Sequence, residues 1–375
     1  MTKIRVLFCI DSVGADAGPD KQLAEMITHL DKTRFDVHLF CFEDSPRMQQ
    51  LAEHCTPLVI PMRSVYSLNG LRTIRRLRRY INERQIDVVH TWMVKANITG
   101  ILAARRSRCK AVVSSRRNLG YWLTPLYLRI YRYLDRHTTR ILANSERVKR
   151  FVVQTERVPP DKIDVLYNGV DMTRFAPGCG DPSVPRSLGV PEEAKLVGIV
   201  ANLRPVKDHA LFLRTAKLVA RSVPEAAFVL VGTGPLRDDL ATQAKELGIA
   251  DRVFFSDGAG AVEDYLGRMC IGCLSSESEG FSNSVLEYMA AGLPVVATDA
   301  GGNAEALKTG TTGFIVPHGD PTALAGPIVD LLKDDTERAA MGRRSLERCR
   351  ERFEIGRVIG RYEDYYAGLA GGTSE

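Results

Sequence analysis

Two glutamates, Glu279 and Glu287, are separated by seven residues and bracket a stretch in which a polar loop gives way to a helical pattern. Gly280 permits a tight turn, and Ser282 or Asn283 is a good N-cap. Loop amides and a helix N-terminus attract phosphate, while a carboxylate accepts hydrogen bonds from two sugar hydroxyls. The residues alone predict either a nucleotide or sugar-phosphate site, or an ordinary helix start with one capping and one solvated carboxylate.

The glutamates stand in a longer segment, residues 279–305, which reads EGFSNSVLEYMAAGLPVVATDAGGNAE and resembles the signature of glycosyltransferase family 4. Other motifs of that family follow in order, and the likeness spans roughly residues 87–330: ANSE at 143–146, VLYNGVDMTRF at 165–175, ANLRPVKDH at 201–209 and LVGTGPLRDDL at 230–240. The resemblance implies an α/β protein of the GT-B fold, with two Rossmann-like domains facing each other across a cleft.

The implied activity is that of a retaining glycosyltransferase. It would move a sugar from a nucleotide-diphosphate sugar, linked to UDP or GDP, to a glycan or lipid-linked acceptor in cell-envelope polysaccharide or glycolipid biosynthesis. Breaking a sugar–diphosphate bond leaves negative charge on the phosphate, which two cations and a helix N-terminus can stabilise. The sequence has no Asp-x-Asp metal pair. We therefore expect hexosyl transfer with no metal and no cofactor beyond the nucleotide-sugar substrate.

The resemblance assigns roles residue by residue. Glu287 would bind the ribose hydroxyls of the donor, Glu279 would hold the transferred sugar, and Lys207 would grip the diphosphate. Asn202 stands where the family often has arginine, and Arg204 could supply that charge from the same loop. In the loop 256–260, near where the family contacts the base, Asp257 stands where glycine is common. The implied donor-contacting set is completed by Gly280, Phe281, Ser282, Asn283 and Gly232.

The acceptor half carries weaker signals. After the first apolar run, SVGADAGPDKQL (12–23) loosely matches a glycine-rich loop of the family, so Gly14 and Gly18 are expected near the site or in a plain strand–helix turn. His90 ends the run DVVH and is a candidate catalytic group on the acceptor side, although a lone histidine at a strand end is often structural. Arg116 and Arg117 end the next run and suit an anionic acceptor or a donor phosphate.

Short apolar runs rich in β-branched residues alternate with helical patterns, which predicts parallel sheets covered by helices and ligands beyond the carboxyl ends of the strands. The stretch 176–191, with four prolines and three glycines, is the predicted linker. We expect an acceptor-binding domain at 1–175, a donor-binding domain at 190–350, and a helix within 351–375 that returns to the first domain. The predicted strands are 4–10, 36–42, 87–92, 111–115, 140–144, 164–168, 196–202, 226–232, 252–257, 270–276, 294–299 and 313–317.

Charge is distributed unevenly along the 375 residues. Residues 1–175 hold 30 Lys and Arg against 17 Asp and Glu, and the remainder holds 21 against 28. The helical segment 71–84, from Leu71 to Arg84, combines an apolar stripe with six arginines. It is either a domain helix with a solvated basic face or a contact with an anionic membrane surface. With no signal peptide and no apolar stretch long enough to span a bilayer, we expect a cytoplasmic protein, peripheral on the inner face of the membrane.

Other classes fit less well. A nucleotide-sugar 2-epimerase of similar fold and a non-catalytic nucleotide-sugar binding protein are the alternatives. An NAD-dependent oxidoreductase would need a GxGxxG after the first strand, which is missing. No aromatic-basic motif indicates nucleic-acid binding. Cys270 and Cys273 form a lone CxxC inside an apolar run, which does not favour a zinc site.

Overall fold

The computed structural model describes residues 2–14, 18–256 and 261–371. The chain divides into two compact units: Met1–Gly169 with Ile355–Glu375, named the N-terminal unit, and Val170–Glu354, named the C-terminal unit. The proline-rich stretch 176–191 therefore lies within the C-terminal unit. It is fastened there because Arg174 forms an ion pair with Glu263 at 3.1 Å and the amide of Asp181 donates to Asp264 at 2.8 Å.

The N-terminal unit is built on seven strands, all paired in parallel. They are β1 (Ile4–Cys9), β2 (Phe35–Cys41), β3 (Thr56–Val59), β4 (Val88–Thr91), β5 (Ala111–Arg116), β6 (Arg140–Ala143) and β7 (Ile163–Val165). Their order in the sheet is β3-β2-β1-β4-β5-β6-β7. The sequence pattern missed β3, because this four-residue edge strand begins with two exposed residues, one of them a proline, and so lacks a buried apolar run.

Six helices connect these strands. They are α1 (Gly18–His29), α2 (Pro46–Leu51), α3 (Leu68–Glu83), α4 (Val94–Ala104), α5 (Pro125–Asp135) and α6 (Glu146–Phe151). Ser67, Thr124 and Ser145 cap α3, α5 and α6, because each side chain accepts a hydrogen bond from an amide of the first turn. After α6 the chain widens into a π-helical turn, Val152–Glu156.

The C-terminal unit repeats the architecture with six parallel strands. They are β8 (Lys195–Val200), β9 (Ala226–Val231), β10 (Val253–Ser256), β11 (Ile271–Leu274), β12 (Val295–Thr298) and β13 (Gly313–Val316), in the order β10-β9-β8-β11-β12-β13. Its helices are α7 (Ser183–Ser187), α8 (His209–Ser222), α9 (Arg237–Glu246), α10 (Val262–Leu266), α11 (Asn283–Ala290), α12 (Asn303–Ala306), α13 (Pro321–Lys333) and α14 (Asp335–Arg352).

The last helix, α15 (Ile355–Gly371), belongs to the N-terminal unit. One face of it is buried against the sheet, where Val358, Tyr362 and Tyr366 join the same apolar cluster as Val6 and Phe8 of β1. Burying several large side chains of one helix contributes on the order of 1.5–3 kcal/mol each, so this packing fixes α15 to the sheet.

Both sheets reverse their strand order at one place, between β1 and β4 in the N-terminal unit and between β8 and β11 in the C-terminal unit. At such a switch point the loops leave the sheet in opposite directions and open a crevice beyond the carboxyl ends of the strands. The predicted α/β class with two parallel-sheet, Rossmann-like domains is confirmed. The candidate side chains are therefore to be sought on the loops that follow these four strands.

Candidate active site

The loop after β8 presents Lys207 at the switch point of the C-terminal unit. Residues Pro205–Lys207 form one 3-10 turn, and Asp208 adopts a left-handed conformation with φ of 42°. The Asp208 carboxylate caps α8 by accepting a hydrogen bond from the amide of Leu211 at 3.0 Å. Ser275, just after β11, donates to the carbonyl oxygens of Lys207 and Asp208 at 3.1 and 2.8 Å. The Ser275 hydroxyl thus joins the loop after β11 to the backbone of the loop after β8.

Lys207 and Glu279 form an ion pair with an Nζ–Oε1 distance of 2.5 Å. The Ser276 hydroxyl donates to the same carboxylate oxygen at 2.7 Å. Glu279 is only 10% exposed and Lys207 25%, so water screens this pair less than it screens a surface ion pair. The structure thus brings together two residues that lie 72 positions apart in the sequence. Lys207 can bind an anionic ligand group, and the Glu279 carboxylate can accept hydrogen bonds from ligand donors.

Helix α11 begins where the sequence predicted. Ser282 is its N-cap and its hydroxyl accepts from the amide of Val285 at 3.5 Å, while the Ser284 hydroxyl donates to the carbonyl of Val200 at 2.6 Å. The second contact fastens the helix start to the end of β8. Phe281 is buried against the ring of Phe353, 5.5 Å between centroids. The first turn of α11 is therefore held rigidly beside the Lys207 loop, with its positive dipole end at the switch point.

Glu287 lies one turn into α11 and is buried. A carboxylate in that position has lost most of its water and must be satisfied by hydrogen-bond donors. The structure places Glu287 on the same short helix as Asn283, as the spacing predicted. Gly280 and Phe281 lie in the loop between Glu279 and the N-cap.

Two glycines are required by backbone packing around this loop. Gly301 has φ of +54°, and a Cβ there would lie 2.0 Å from the carbonyl oxygen of Glu279. Gly232, expected among the donor-contacting residues, has φ of +147°, and a Cβ there would lie 2.2 Å from the carbonyl oxygen of Ala201. Gly232 thus has a packing reason of its own, since it lets the loop after β9 approach the end of β8.

Arg204 is exposed, and its side chain forms no ion pair within the described ranges. Sequence reasoning missed three further groups near Lys207. Ser276 holds Glu279, as described above. His318 contacts the Asp208 carboxylate at 2.9 Å from the loop after β13. His209 is the first residue of α8 and is buried; burial and the nearby Lys207 charge lower its pKa to about 4. Nothing local in the sequence connects residues 318 and 208, which lie 110 positions apart.

In the N-terminal unit the predicted loop residues are only partly described. Gly18 begins α1 with φ of +63°, and the amide of Gly14 lies 3.4 Å from the Asp20 carboxylate. Residues 15–17 between them lie outside the described residues, as do residues 257–260 of the predicted base-contacting loop with Asp257. Asp11, after β1, accepts from the amides of Lys95 and Ala96 and so caps α4 from across the switch point.

His90 does not lie on an accessible edge of the sheet. It is 0% exposed, and its ring nitrogens contact the hydroxyls of Tyr366 at 2.7 Å and Ser115 at 2.8 Å. Burial and the Arg117 charge hold the pKa of His90 well below its usual range. The sequence could not show this, because Tyr366 comes from α15, 276 residues away. The geometry makes His90 a buried, neutral imidazole that joins β4, β5 and α15, and its expected catalytic role stays a prediction.

Arg116 and Arg117 have different environments although they are adjacent. Arg116 is buried between two buried carboxylates, Asp135 at 2.7 Å and Glu156 at 2.9 Å, so it is structural and is not available to a ligand phosphate. Arg117 stacks on the Trp92 ring, 4.3 Å from guanidinium carbon to centroid, and donates to the side chain of Asn168. Unlike Arg116, Arg117 has no carboxylate partner within the described residues.

Across the described residues, no group of three or more His, Cys, Asp and Glu side chains is arranged to hold a metal ion. Cys270 and Cys273 are free thiols, as are the other cysteines of the chain. Cys273 is buried in β11, and burial raises the pKa of its thiol to about 12. A group that is neutral and enclosed in this way has no redox or ligand chemistry near neutral pH.

Two family profiles match consecutive parts of the chain. The profile of Glycosyltransferase Family 4 matches residues 18–174, and that of Glycosyl transferases group 1 matches residues 181–348. The family inferred from the sequence motifs is thereby confirmed, and the second profile contains Lys207, Glu279 and Glu287.

Among curated proteins, the chain is 24% identical over 349 residues, 90% of each chain, to UDP-Gal:alpha-D-GlcNAc-diphosphoundecaprenol alpha-1,3-galactosyltransferase of Escherichia coli. It is 29% identical over 313 residues, 78% of this chain and 77% of the other, to GDP-mannose-dependent alpha-(1-6)-phosphatidylinositol monomannoside mannosyltransferase of Mycolicibacterium smegmatis. Both relatives match across the two units, so the likeness is not confined to the donor motif.

Solved structures share the fold. Anabaena HepE in complex with UDP has a TM-score of 0.84 at 21% identity, covering 97% of this chain and 100% of HepE. A glycosyltransferase from Rickettsia africae has a TM-score of 0.87 at 16% identity, covering 100% of both chains. The GT-B fold class predicted from the sequence is confirmed.

Proposed function

The chain belongs to the group 1, family 4 glycosyltransferases, and from that premise we propose that it transfers a hexosyl unit with retention of anomeric configuration and without a metal ion. The donor is a nucleotide-diphosphate sugar bound by the C-terminal unit, and the acceptor is a glycan or lipid-linked glycan of the cell envelope, bound by the N-terminal unit. The observation that carries the proposal is the Lys207–Glu279 pair beside the N-terminus of α11.

Each charged group has a part in this reaction. The diphosphate of the donor competes with Glu279 for Lys207, and binding frees the carboxylate to accept hydrogen bonds from the sugar hydroxyls. Glu287 holds the ribose hydroxyls. When the bond between the anomeric carbon and the diphosphate oxygen breaks, Lys207, Arg204 and the amides at the start of α11 stabilise the departing negative charge. The acceptor oxygen bonds to the anomeric carbon, and its proton leaves with the diphosphate or enters solvent.

The activities for which the relatives are named support the substrate classes. One relative is named for UDP-Gal and a diphosphoundecaprenol acceptor, and another for GDP-mannose and a phosphatidylinositol monomannoside. HepE binds UDP and glucose in a solved structure. We therefore propose a UDP- or GDP-linked donor and an acceptor carried on a lipid.

Nucleotide binding is the first test. Thermal denaturation with UDP, GDP, ADP and their sugars at a hundredfold excess over Kd should raise the melting temperature by roughly 5–10 °C for the cognate nucleotide. Lys207→Ala and Glu287→Ala should lose most of that shift, because they remove diphosphate and ribose contacts. Lys217→Ala, a lysine on α8 outside the site, is the matched control. The enzyme proposal is wrong if no nucleotide shifts the wild-type protein.

Stereochemistry and metal dependence need a turnover assay with the cognate donor. NMR of the product should show the same anomeric configuration as the donor sugar. Activity should persist after dialysis against EDTA and should not rise when Mg²⁺ or Mn²⁺ is restored. Loss of activity with EDTA and its recovery with a divalent ion would overturn the metal-independent mechanism.

Membrane contact is proposed for the surface around the start of α3. The apolar stripe expected on 71–84 is not free for lipid, because Ile74, Leu77 and Ile81 pack in the core of the N-terminal unit. The exposed apolar groups are instead Leu68, at 75%, and Leu71, at 52%. Tyr66, Tyr121 and Leu126 are further exposed large side chains of the same unit, and Arg72, Arg75, Arg76 and Arg79 are the exposed arginines of α3.

Such a surface suits an anionic bilayer, because aromatic and leucine side chains enter the interface while arginines pair with lipid phosphates. No helix in the described part of the chain is long and apolar enough to cross a membrane. We propose peripheral attachment at the inner face of the cell membrane.

Liposome flotation tests the attachment. Wild-type protein should bind phosphatidylglycerol vesicles at low salt and lose most binding at high salt. The pair Arg72→Gln with Arg76→Gln should weaken binding roughly thirtyfold, at about 1 kcal/mol per arginine. The matched control is Arg343→Gln with Arg350→Gln, which removes two exposed arginines from α14. Equal binding by both double variants, or no flotation at either salt, would rule out this surface.

A further inference from the structure

We propose that Arg117 is the centre of an oxyanion subsite in the N-terminal unit, at which a phosphate group of the acceptor binds. The ligand's identity as an acceptor rests on the proposed function, whereas the existence of an anion site at Arg117 rests on the geometry of this unit alone.

The neighbouring Arg116 shows what a purely structural arginine looks like in this fold. Its guanidinium touches two carboxylates, Asp135 and Glu156, donates to the Ser114 hydroxyl at 2.6 Å, and lies over the ring of Tyr131 at 4.4 Å. Burying a cation is tolerable there because its charge is fully offset. The π-helical turn after α6 is the element that places Glu156 within reach of it.

Arg117 has no such compensation. Its guanidinium donates to the neutral side-chain amide of Asn168, stacks on Trp92, and forms no ion pair within the described residues. Desolvation lowers the pKa of Arg117, so its charge has lost water without gaining a counter-ion. A half-buried guanidinium in this state is costly for the folded protein, and an incoming oxyanion offsets that cost.

Two buried polar atoms beside Arg117 have no hydrogen-bond partner. They are the indole nitrogen of Trp92, under the guanidinium, and the side-chain oxygen of Asn144, whose nitrogen donates to the Arg117 carbonyl at 3.4 Å. Most buried polar atoms in folded proteins are paired. A guanidinium stacked on a ring whose indole donor is unpaired suits a phosphate, because phosphate oxygens accept from both kinds of donor.

The position of Arg117 in the fold also suits a ligand. It follows β5 directly, and β5 pairs with β4, one of the two strands at the switch point of the N-terminal unit. Trp92 follows β4 itself. Ligands of doubly wound sheets bind at this edge, and a guanidinium there can hold two phosphate oxygens at once through its planar fork.

Trp92 offers a site-specific reporter, because the chain has only two tryptophans. In a Trp122→Phe background all indole emission comes from Trp92. Titration with pyrophosphate, at constant ionic strength, should change this emission along a saturable curve. Arg117→Gln should weaken the midpoint at least tenfold, and Arg117→Lys, which keeps the charge but loses the fork, should weaken it less. Arg129→Gln, which removes an exposed arginine from α5, should leave the midpoint unchanged.

Further arms separate this proposal from the proposed function. Lys207→Ala should leave the Trp92 midpoint unchanged, because that cation belongs to the C-terminal unit. Acetate in place of pyrophosphate should give a much weaker response if phosphate is the preferred ligand. The subsite is overturned if Arg117→Gln, folded by circular dichroism, keeps the wild-type midpoint, or if emission responds equally to chloride. The nucleotide thermal shift tests the donor site separately. A negative Trp92 titration therefore leaves the donor site standing, and a negative thermal shift leaves the anion site at Arg117 standing.

Discussion

The two units share one strand order around their switch points, but they differ in whether the cationic side chain at that edge has a carboxylate partner. In the C-terminal unit, Lys207 is held by the Glu279 carboxylate at 2.5 Å. In the N-terminal unit, Arg117 rests on an aromatic ring and meets only neutral partners within the described residues. At the proposed donor site a ligand phosphate would have to displace a carboxylate, and at the proposed subsite around Arg117 it would meet no carboxylate within the described residues. Donor binding is therefore expected to free Glu279 to hydrogen-bond the sugar, whereas the proposed acceptor subsite would need no such displacement.

The largest expected effect separates the two adjacent arginines. Arg116→Gln leaves Asp135 and Glu156 buried without a counter-charge and should destabilise the N-terminal unit by about 3–5 kcal/mol. Arg117→Gln removes a charge that lacks a carboxylate partner and should cost less than about 1 kcal/mol. Urea unfolding of both variants at pH 7 measures the difference. If Arg117→Gln proves as destabilising as Arg116→Gln, Arg117 is structural and the contrast between the units fails.

Glu279 tests the other side of the contrast. Glu279→Gln should lower kcat by about 10²–10³, as expected for the loss of one group that stabilises the transition state. The same change should leave nucleoside diphosphate binding as tight or tighter, because Lys207 loses its internal competitor. Glu277→Gln changes an exposed carboxylate two residues away and is the matched control. Unchanged turnover in Glu279→Gln, measured with the cognate donor, would remove Glu279 from the reaction.

The loop that carries Glu279 depends on Gly301. Gly301→Ala places a Cβ 2.0 Å from the Glu279 carbonyl oxygen at a φ of +54°, and it should destabilise the C-terminal unit by about 3 kcal/mol. Gly310→Ala is the control, since its φ is +72° but no heavy atom lies within 4 Å of the added Cβ. It should cost about 1 kcal/mol from backbone strain alone. Chemical denaturation compares the two variants. Equal losses in the free energy of unfolding would show that the loop moves to accommodate the added Cβ at residue 301.

The smallest expected effect is a dependence on pH. His209 has a pKa of about 4 when folded, because it is buried near Lys207, against about 6.5 in an unfolded chain. Only the unfolded state binds the proton between these values, so stability is complete above pH 7 and falls as the pH drops towards 4. The loss at pH 5 should be about 2 kcal/mol.

Urea unfolding at pH 7 and pH 5 measures this dependence. The transition of the C-terminal unit is identified as the one that the cognate nucleotide shifts, and His209→Gln should make its free energy of unfolding less dependent on pH. His90 keeps its own low pKa in the N-terminal unit and should keep that unit acid-sensitive in the same variant. A C-terminal transition that stays as acid-sensitive as in the wild type would mean that His209 is not the group responsible.

The sequence by itself determined the architecture and most of the candidate donor site. Alternating apolar runs predicted parallel sheets, since strands buried on both faces need continuous apolar stretches. The loop from Glu279 to Ser282 and the helix that carries Glu287 lie within nine residues, so a single chain segment fixes their spacing. The observed N-cap, Ser282, is one of the two candidates that the sequence offered. Lys207 lies beside them because it follows β8, the strand that neighbours β11 in the same sheet.

Only the tertiary structure decided which groups of the N-terminal unit are available. Arg116 and Arg117 look alike in the sequence, and their difference comes from Asp135 and Glu156, which lie 19 and 40 residues from Arg116. His90 is buried against Tyr366 of α15. The apolar stripe of α3 packs in the core, and the large apolar side chains left exposed at the start of this helix are Leu68 and Leu71. Burial and charge compensation depend on partners that are distant in the chain, and local sequence patterns do not predict which residues those partners are.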